Sequence, residues 1–113
     1  MDTAPPLSIS ETARDGELRV VVAGELDLAS ASLLLTHVER LEIDGAGTLA
    51  VDLGGVTFLD VAGMRVLLET ARLAHRRKTR FVICNPRRIA SRVFGLTAVD
   101  QQLEIVFDDG PSA

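Results

Sequence analysis

The chain has 113 residues, an apolar fraction of 47% and a formal net charge of −4. This apolar content is that of a folded globular protein, and the length suits a single domain with its own core. The acidic balance and the absence of Trp and Tyr argue against nucleic-acid binding through the phosphate backbone or through base stacking. Cys84 has no second cysteine to pair with, which excludes an internal disulfide and favours a reducing compartment.

The N-terminal residues are not expected to form a signal peptide. Met1–Pro6 lacks the basic and apolar regions of a signal peptide, and no apolar run approaches the ~20 residues of a membrane helix. We therefore expect a cytoplasmic protein with one domain over residues 1–113. Its core should span about residues 7–107, between short flexible tails.

The first predicted elements are two strands. Leu7–Thr12 alternates weakly and is expected to be an antiparallel edge strand, with a turn at Arg14–Glu17 after it. Leu18–Ala23 is rich in β-branched residues and apolar on both faces, which is typical of a central strand.

A helix is predicted next, after a turn at Gly24–Asp27. Its apolar residues recur at helical spacing from Leu28 to Leu41. Asp27 and Ser30 are both of the residue type that caps a helix N-terminus.

The segment that follows contains the most informative pattern of the chain. An apolar strand is predicted over Thr48–Leu53, and it should end at the pair Gly54–Gly55. After a tight connection, Asp60 is placed to cap a helix that begins at Val61. This places a helix N-terminus made of small residues at the surface.

The last predicted elements are a strand, a helix and a strand. Phe81–Cys84 is a short apolar strand, Asn85–Pro86 starts a helix that Gly95 can close, and Leu103–Phe107 is the final strand. Alternation of strands and helices predicts an α/β fold with a mixed, mainly parallel sheet of about five strands. Three to four helices should pack against that sheet.

Catalytic and metal-binding patterns are missing from the sequence. Gly45-Ala46-Gly47 precedes a strand instead of opening a helix, which is the wrong context for a dinucleotide fingerprint. His37 and His75 have no second ligand at metal spacing, and Cys84 ends a buried strand. We therefore expect no catalytic residues, no metal and no cofactor, and hence a protein that is not an enzyme.

Two motifs carry a resemblance to a known family. Gly24–Asp27 resembles the G-x-L-D that opens the first helix of the STAS domain family, in its anti-sigma factor antagonist type. Leu53–Leu68 resembles that family's second signature, with Asp60, Gly63 and Met64 in matching places. The resemblance implies a single STAS-like α/β domain.

The resemblance also implies a function, and this sequence departs from the family pattern at one position that matters for it. Antagonists of this type bind an anti-sigma factor with a kinase-like ATPase fold, which phosphorylates the serine that follows the aspartate and so breaks the complex. Here Val61 occupies that position and Ala62 the next, and neither can take a phosphate. Thr57 is nearby, but it precedes the helix and is interpreted as a strand residue.

The expected partner-binding surface contains both aspartates of the two motifs and the start of the second helix. Its residues are Asp27, Asp60, Val61, Ala62, Gly63, Met64 and Arg65. For two of these a structural role is an open alternative, because Asp60 can serve as a helix cap and Met64 lies on the apolar stripe of the helix.

Two functions therefore stay open for the chain. The first is an anti-sigma factor antagonist that is not controlled by phosphorylation at this position. The second is a STAS subunit of another assembly, such as a lipid-transport ABC system or a signalling scaffold. Neither requires nucleic-acid binding or membrane insertion.

Overall fold

A computed structural model describes residues 7–43, 47–88, 92 and 103–111 of the chain. The elements within these residues, in chain order, are β1 (Leu7–Arg14), β2 (Glu17–Leu26), α1 (Ala31–Glu39), β3 (Thr48–Leu59), α2 (Val61–Arg76), β4 (Arg80–Cys84) and β5 (Glu104–Val106). The strands form one sheet in the order β1-β2-β3-β4-β5, in which β1 is antiparallel to β2 and the other neighbours are parallel. The predicted α/β fold with a mixed, mainly parallel sheet and an antiparallel edge strand is confirmed.

The number of helices is smaller than expected within this part of the chain. The described residues form two α-helices, where the sequence predicted three to four. The third predicted helix, from Asn85–Pro86 to Gly95, falls largely outside the described residues.

The predicted end of the third strand is wrong. β3 does not stop at Leu53 but continues through Gly54–Gly55 to Leu59. The pairing with β2 shifts register at this point, and a Cβ on Gly55 would lie 2.8 Å from the Cβ of Ala23. The glycines allow β3 to approach β2 closely at a β-bulge. In the sequence, a glycine pair at a bulge cannot be told apart from a glycine pair that ends a strand.

The main core lies between the sheet and the two helices, which pack against each other. It is almost entirely aliphatic and includes residues from both helices and from the central strands: Leu34, Val38, Met64, Leu67, Val20, Val22, Leu49, Val51 and Ile83. Because side chains alternate along a strand, the neighbours of these strand residues face the other side of the sheet.

The opposite side of the sheet buries a small apolar cluster and an ion pair. Ala50, Val82 and Cys84 form the cluster. Arg19 and Asp52 lie on this side too, with side chains that are only 8% and 2% exposed, respectively, and Arg19 Nη1 donates to Asp52 Oδ2 at 2.9 Å. The sequence predicted neither the burial nor the pairing of these two charges.

Arg19 also holds the segment after β5 against the sheet. Its Nη2 donates to Asp108 Oδ2 at 2.6 Å and its Nε to Glu17 Oε2 at 3.0 Å. Asn85 bridges the carboxylates of Asp108 and Asp52, since its Nδ2 donates to Asp108 Oδ1 at 2.9 Å and to Asp52 Oδ2 at 3.2 Å. The pKa of Asp108 lies well below its usual value because Arg19, and then Asn85, bond to its ionised form.

The N-terminus of α2 presses directly against the end of β2. Gly63 is buried in the first turn of the helix, and a Cβ built on it would lie 2.2 Å from the carbonyl oxygen of Leu26 and 2.7 Å from Leu59 Cδ1. Only glycine fits this contact without moving backbone. The contact fixes the position of the helix start relative to the loop that follows β2.

Substitution of Arg19 tests the buried ion pair. Arg19→Met should lower the free energy of unfolding by about 3–5 kcal/mol, because it leaves the buried Asp52 carboxylate without its cation. Arg80→Met is the matched control, since Arg80 pairs with Glu104 at an exposed position where both side chains are solvated. Urea unfolding of both variants measures the difference, and equal losses would contradict the assignment.

Substitution of Gly63 tests the helix contact. Gly63→Ala should destabilise the protein by about 2 kcal/mol, since overpacking against a backbone oxygen outweighs the better helix propensity of alanine. At the half-buried neighbour Ala62 the preference should reverse, so that Ala62→Gly is the destabilising change, by up to about 1 kcal/mol. A more stable Gly63→Ala variant in thermal unfolding would show that Leu26 does not constrain this position.

Candidate functional site

Asp60 caps α2, as the sequence predicted. Its backbone is extended, and its Oδ1 accepts a hydrogen bond from the backbone N–H of Gly63 at 2.9 Å. The N–H groups of the first helical turn have no hydrogen-bond partner within the helix, and this bond supplies one of them with an acceptor. The helix begins at Val61.

Asp60 also makes a contact that the sequence did not predict. Its second carboxylate oxygen, Oδ2, accepts from the backbone N–H of Leu28 at 3.2 Å, and its own N–H donates to Leu26 O at 3.4 Å. One side chain therefore joins the N-terminus of α2 to the loop between β2 and α1.

Of the two residues predicted as caps of α1, the structure has Ser30 at the N-cap position, so Leu28 precedes the helix. β2 extends to Leu26, and α1 begins only at Ala31 with Ser30 as its N-cap residue, which makes no side-chain cap bond. Asp27 Oδ1 instead accepts from the N–H groups of Ala29 at 3.0 Å and Ser30 at 3.1 Å. An aspartate that bonds the backbone two and three residues ahead closes a turn and delays the helix.

Three large apolar side chains are exposed at residues that lie within two positions of Asp60 or donate a backbone hydrogen bond to its carboxylate. Leu28 is 83% exposed, Val61 59% and Phe58 43%. We call Leu28, Phe58 and Val61 the apolar patch. Phe58 and Val61 flank Leu59–Asp60 in the chain, and the Asp60 bond brings in Leu28 from 32 residues away.

Sequence reasoning missed two members of the apolar patch. Leu28 fits the helical spacing of α1, which predicts it within that helix, and the glycine pair predicts a connection at Phe58. The spacing of Asp27 and Ser30 was the available signal, since it is typical of a turn that precedes the helix and leaves Leu28 outside it.

Charged side chains of both signs lie near the residues of the apolar patch. Glu25 is exposed and pairs in register with Phe58, and Asp27 and Asp60 are half-buried. Arg65 is exposed and lies one helical turn after Val61. The surface is thus apolar at its centre, acidic on the side of β2 and basic at one point on α2.

The predicted site residues fall into two groups in the structure. Asp27, Asp60, Val61, Ala62 and Arg65 have exposed or half-buried side chains on this surface. Gly63 and Met64 are buried, and Met64 is 2% exposed within the core. The space that Gly63 leaves is filled by Leu26 of its own chain, so Gly63 is not open to a partner as the predicted surface required.

The hydroxyl groups of Ser30 and Thr57 make hydrogen bonds within the protein, and the thiol of Cys84 is buried. Ser30 is 1% exposed and its Oγ donates to Glu25 O at 2.6 Å, whereas Thr57 lies in β3 and donates to Gly24 O at 3.3 Å. Cys84 is buried, and burial raises the pKa of its thiol to about 11, so it stays protonated at neutral pH.

Among the residues that the structure describes, no group of three or more His, Cys, Asp or Glu side chains could hold a metal ion. Neither helix in this part of the chain is both long and apolar enough to cross a membrane.

The fold is similar to several solved structures. One is the crystal structure of an anti-sigma factor antagonist from Mycobacterium paratuberculosis, with 26% identity and a TM-score of 0.79 over 91% of this chain and 88% of that chain. Another is the Bacillus cell fate determinant SpoIIAA in its phosphorylated form, with 17% identity and a TM-score of 0.65 over 88% of this chain and 91% of that chain.

A third similar structure is much longer than this chain. It is the murine anion transporter Slc26a9, with 17% identity and a TM-score of 0.69, and the match covers 83% of this chain and 16% of the transporter. The likeness to SpoIIAA and to the transporter concerns the fold alone. A search of curated proteins gave no significant match.

A family model gives the assignment directly. The family described as "Mlab, STAS domain" matches residues 9–106, from Ile9 in β1 to Val106 at the end of β5. The predicted resemblance is confirmed: the chain belongs to the STAS domain family, and its structural relatives include anti-sigma factor antagonists.

Proposed function

We propose that this protein is an anti-sigma factor antagonist that binds a kinase-like anti-sigma factor through the apolar patch and thereby frees a sigma factor. The observation that carries the proposal is the exposed Val61 at the capped start of α2, where the family's phosphorylated members have serine. The similarity to the Mycobacterium paratuberculosis antagonist supports the general function.

The apolar patch supports a role in protein binding. Exposed apolar side chains that lie together, with polar groups around them, are typical of protein–protein contact surfaces. Leu28 and Val61 are exposed on either side of the Asp60 carboxylate, Phe58 is exposed two residues before it, and Asp27 adjoins Leu28 in the chain.

The absence of a hydroxyl at Val61 determines how binding would be controlled. A phosphate adds a charge of roughly −1.5 to −2, which a helix N-terminus tolerates but an apolar contact surface does not. Because Val61 cannot accept a phosphate, we propose that binding at this surface is constitutive or is set by the amount of protein.

A second function is favoured by the same valine and by a structural relative. A STAS subunit of a larger assembly, such as a lipid-transport ABC system or a signalling scaffold, needs no phosphorylation switch. The likeness to part of an anion transporter shows that this fold also occurs within one larger transport protein. This alternative would place a transporter subunit on the apolar patch.

A charged substitution at the centre of the apolar patch tests the binding surface. Val61→Glu should weaken binding to a purified kinase-like anti-sigma factor of the source organism at least about tenfold, roughly 1.4 kcal/mol, by calorimetry. Leu33→Glu is the control, because Leu33 is 52% exposed on α1 in a groove against β1. Equal losses for both variants would contradict binding at the patch.

A serine at position 61 tests the control of binding. The natural chain should take no label from radioactive ATP in the presence of the anti-sigma factor kinase and should stay bound. Val61→Ser should take label and be released. Stoichiometric labelling of the natural chain between Asp60 and Arg65 would contradict the proposal, and binding only to a transporter ATPase would favour the alternative.

A further inference from the structure

We propose that Asp60 acts as a positioning residue that holds Leu28 in the apolar patch, and that the partner recognises Leu28 rather than the charge of Asp60. This inference rests on the proposed function, because it concerns the same surface. It assigns a binding role to Leu28, a residue that lies outside both sequence motifs and outside α1.

Both oxygens of the Asp60 carboxylate point into the protein's own backbone. Oδ1 accepts from Gly63 N–H at 2.9 Å and Oδ2 from Leu28 N–H at 3.2 Å. A carboxylate oriented by two backbone bonds faces the loop and the helix. Its charge is therefore partly satisfied before any partner arrives.

Leu28 depends on this bond for its position. The hydrogen bonds of Asp27 and Ser30 close the loop on itself and on Glu25, and they do not reach α2. The Asp60 bond joins the backbone of Leu28 itself to the residue that caps α2, next to Val61. Without it, Leu28 would be held near α2 only through Leu26, two residues earlier, and its 83% exposed side chain would be less well fixed.

The surroundings indicate the chemistry of the partner surface. The Leu28 side of the patch carries the carboxylates of Glu25 and Asp27, and Arg65 lies on the α2 side. A protein surface with an apolar pocket and basic side chains on the β2 side would complement it. An anti-sigma factor that binds here should present such a pocket to Leu28.

Asp60→Asn separates positioning from helix capping. Asparagine caps a helix as well as aspartate does, so its oxygen should keep the Gly63 bond and leave the melting temperature nearly unchanged. Its NH2 group would then face the Leu28 N–H, which is itself a donor, and that bond should be lost. The matched variant Leu28→Ala removes the side chain that the bond is proposed to position.

The first readout needs no partner. In ¹⁵N-labelled free protein, Asp60→Asn should speed amide–water exchange of Leu28 at least about fivefold and leave that of Gly63 within about twofold. Unchanged exchange at Leu28 would overturn the proposal, since Asp60 would then not hold the loop.

The second readout is a double-mutant cycle with the purified anti-sigma factor. Each single substitution should weaken binding about tenfold, and Asp60→Asn should add less than about twofold in the Leu28→Ala background. Additive losses that shrink at high salt would overturn the proposal in favour of a direct charge contact. If Leu28→Ala binds normally while Val61→Glu does not, the proposal fails and the proposed function stands. If the natural chain binds no anti-sigma factor, both fail.

Discussion

The candidate site depends on one close contact between the start of α2 and the end of β2. Gly63 lies against the carbonyl of Leu26 at a distance that leaves no room for a Cβ. The contact brings Asp60 within hydrogen-bond distance of Leu28, so that one carboxylate caps a helix and anchors a loop. The exposed Leu28 is thereby brought to the start of α2, where Val61 is exposed and Phe58 is exposed at the end of β3.

The two sides of the sheet contribute differently to this arrangement. On one side, an aliphatic core fixes both helices and hence the direction of α2. On the other side, the buried pair of Arg19 and Asp52, joined by Asp108 and Asn85, ties β2, β3 and the segment after β5 together. A buried pair of this kind contributes little net stability compared with apolar residues, but loss of one partner is costly. Its contribution to the site is indirect, since it holds the strands from whose ends the loops emerge.

Local signals in the sequence predicted the features that depend on near neighbours. The Asp60 cap, the start of α2 at Val61 and the antiparallel edge strand were all predicted, because each follows from residues a few positions apart. The β-bulge at Gly54–Gly55 was missed because it is defined only by the pairing with β2. The bond from Asp60 to Leu28 and the pair of Arg19 and Asp52 were missed for the same reason, since 32 and 33 residues, respectively, separate their partners.

Chemical-shift mapping of the ¹⁵N-labelled chain with an unlabelled anti-sigma factor tests the central claim most directly. If the apolar patch is the contact surface, the largest amide shifts should cluster at Leu28, Phe58 and Val61 and fade along α2 beyond Arg65. Shifts that instead cluster in the groove between α1 and β1, around Leu33 and Ile9, would place the partner elsewhere and contradict the account.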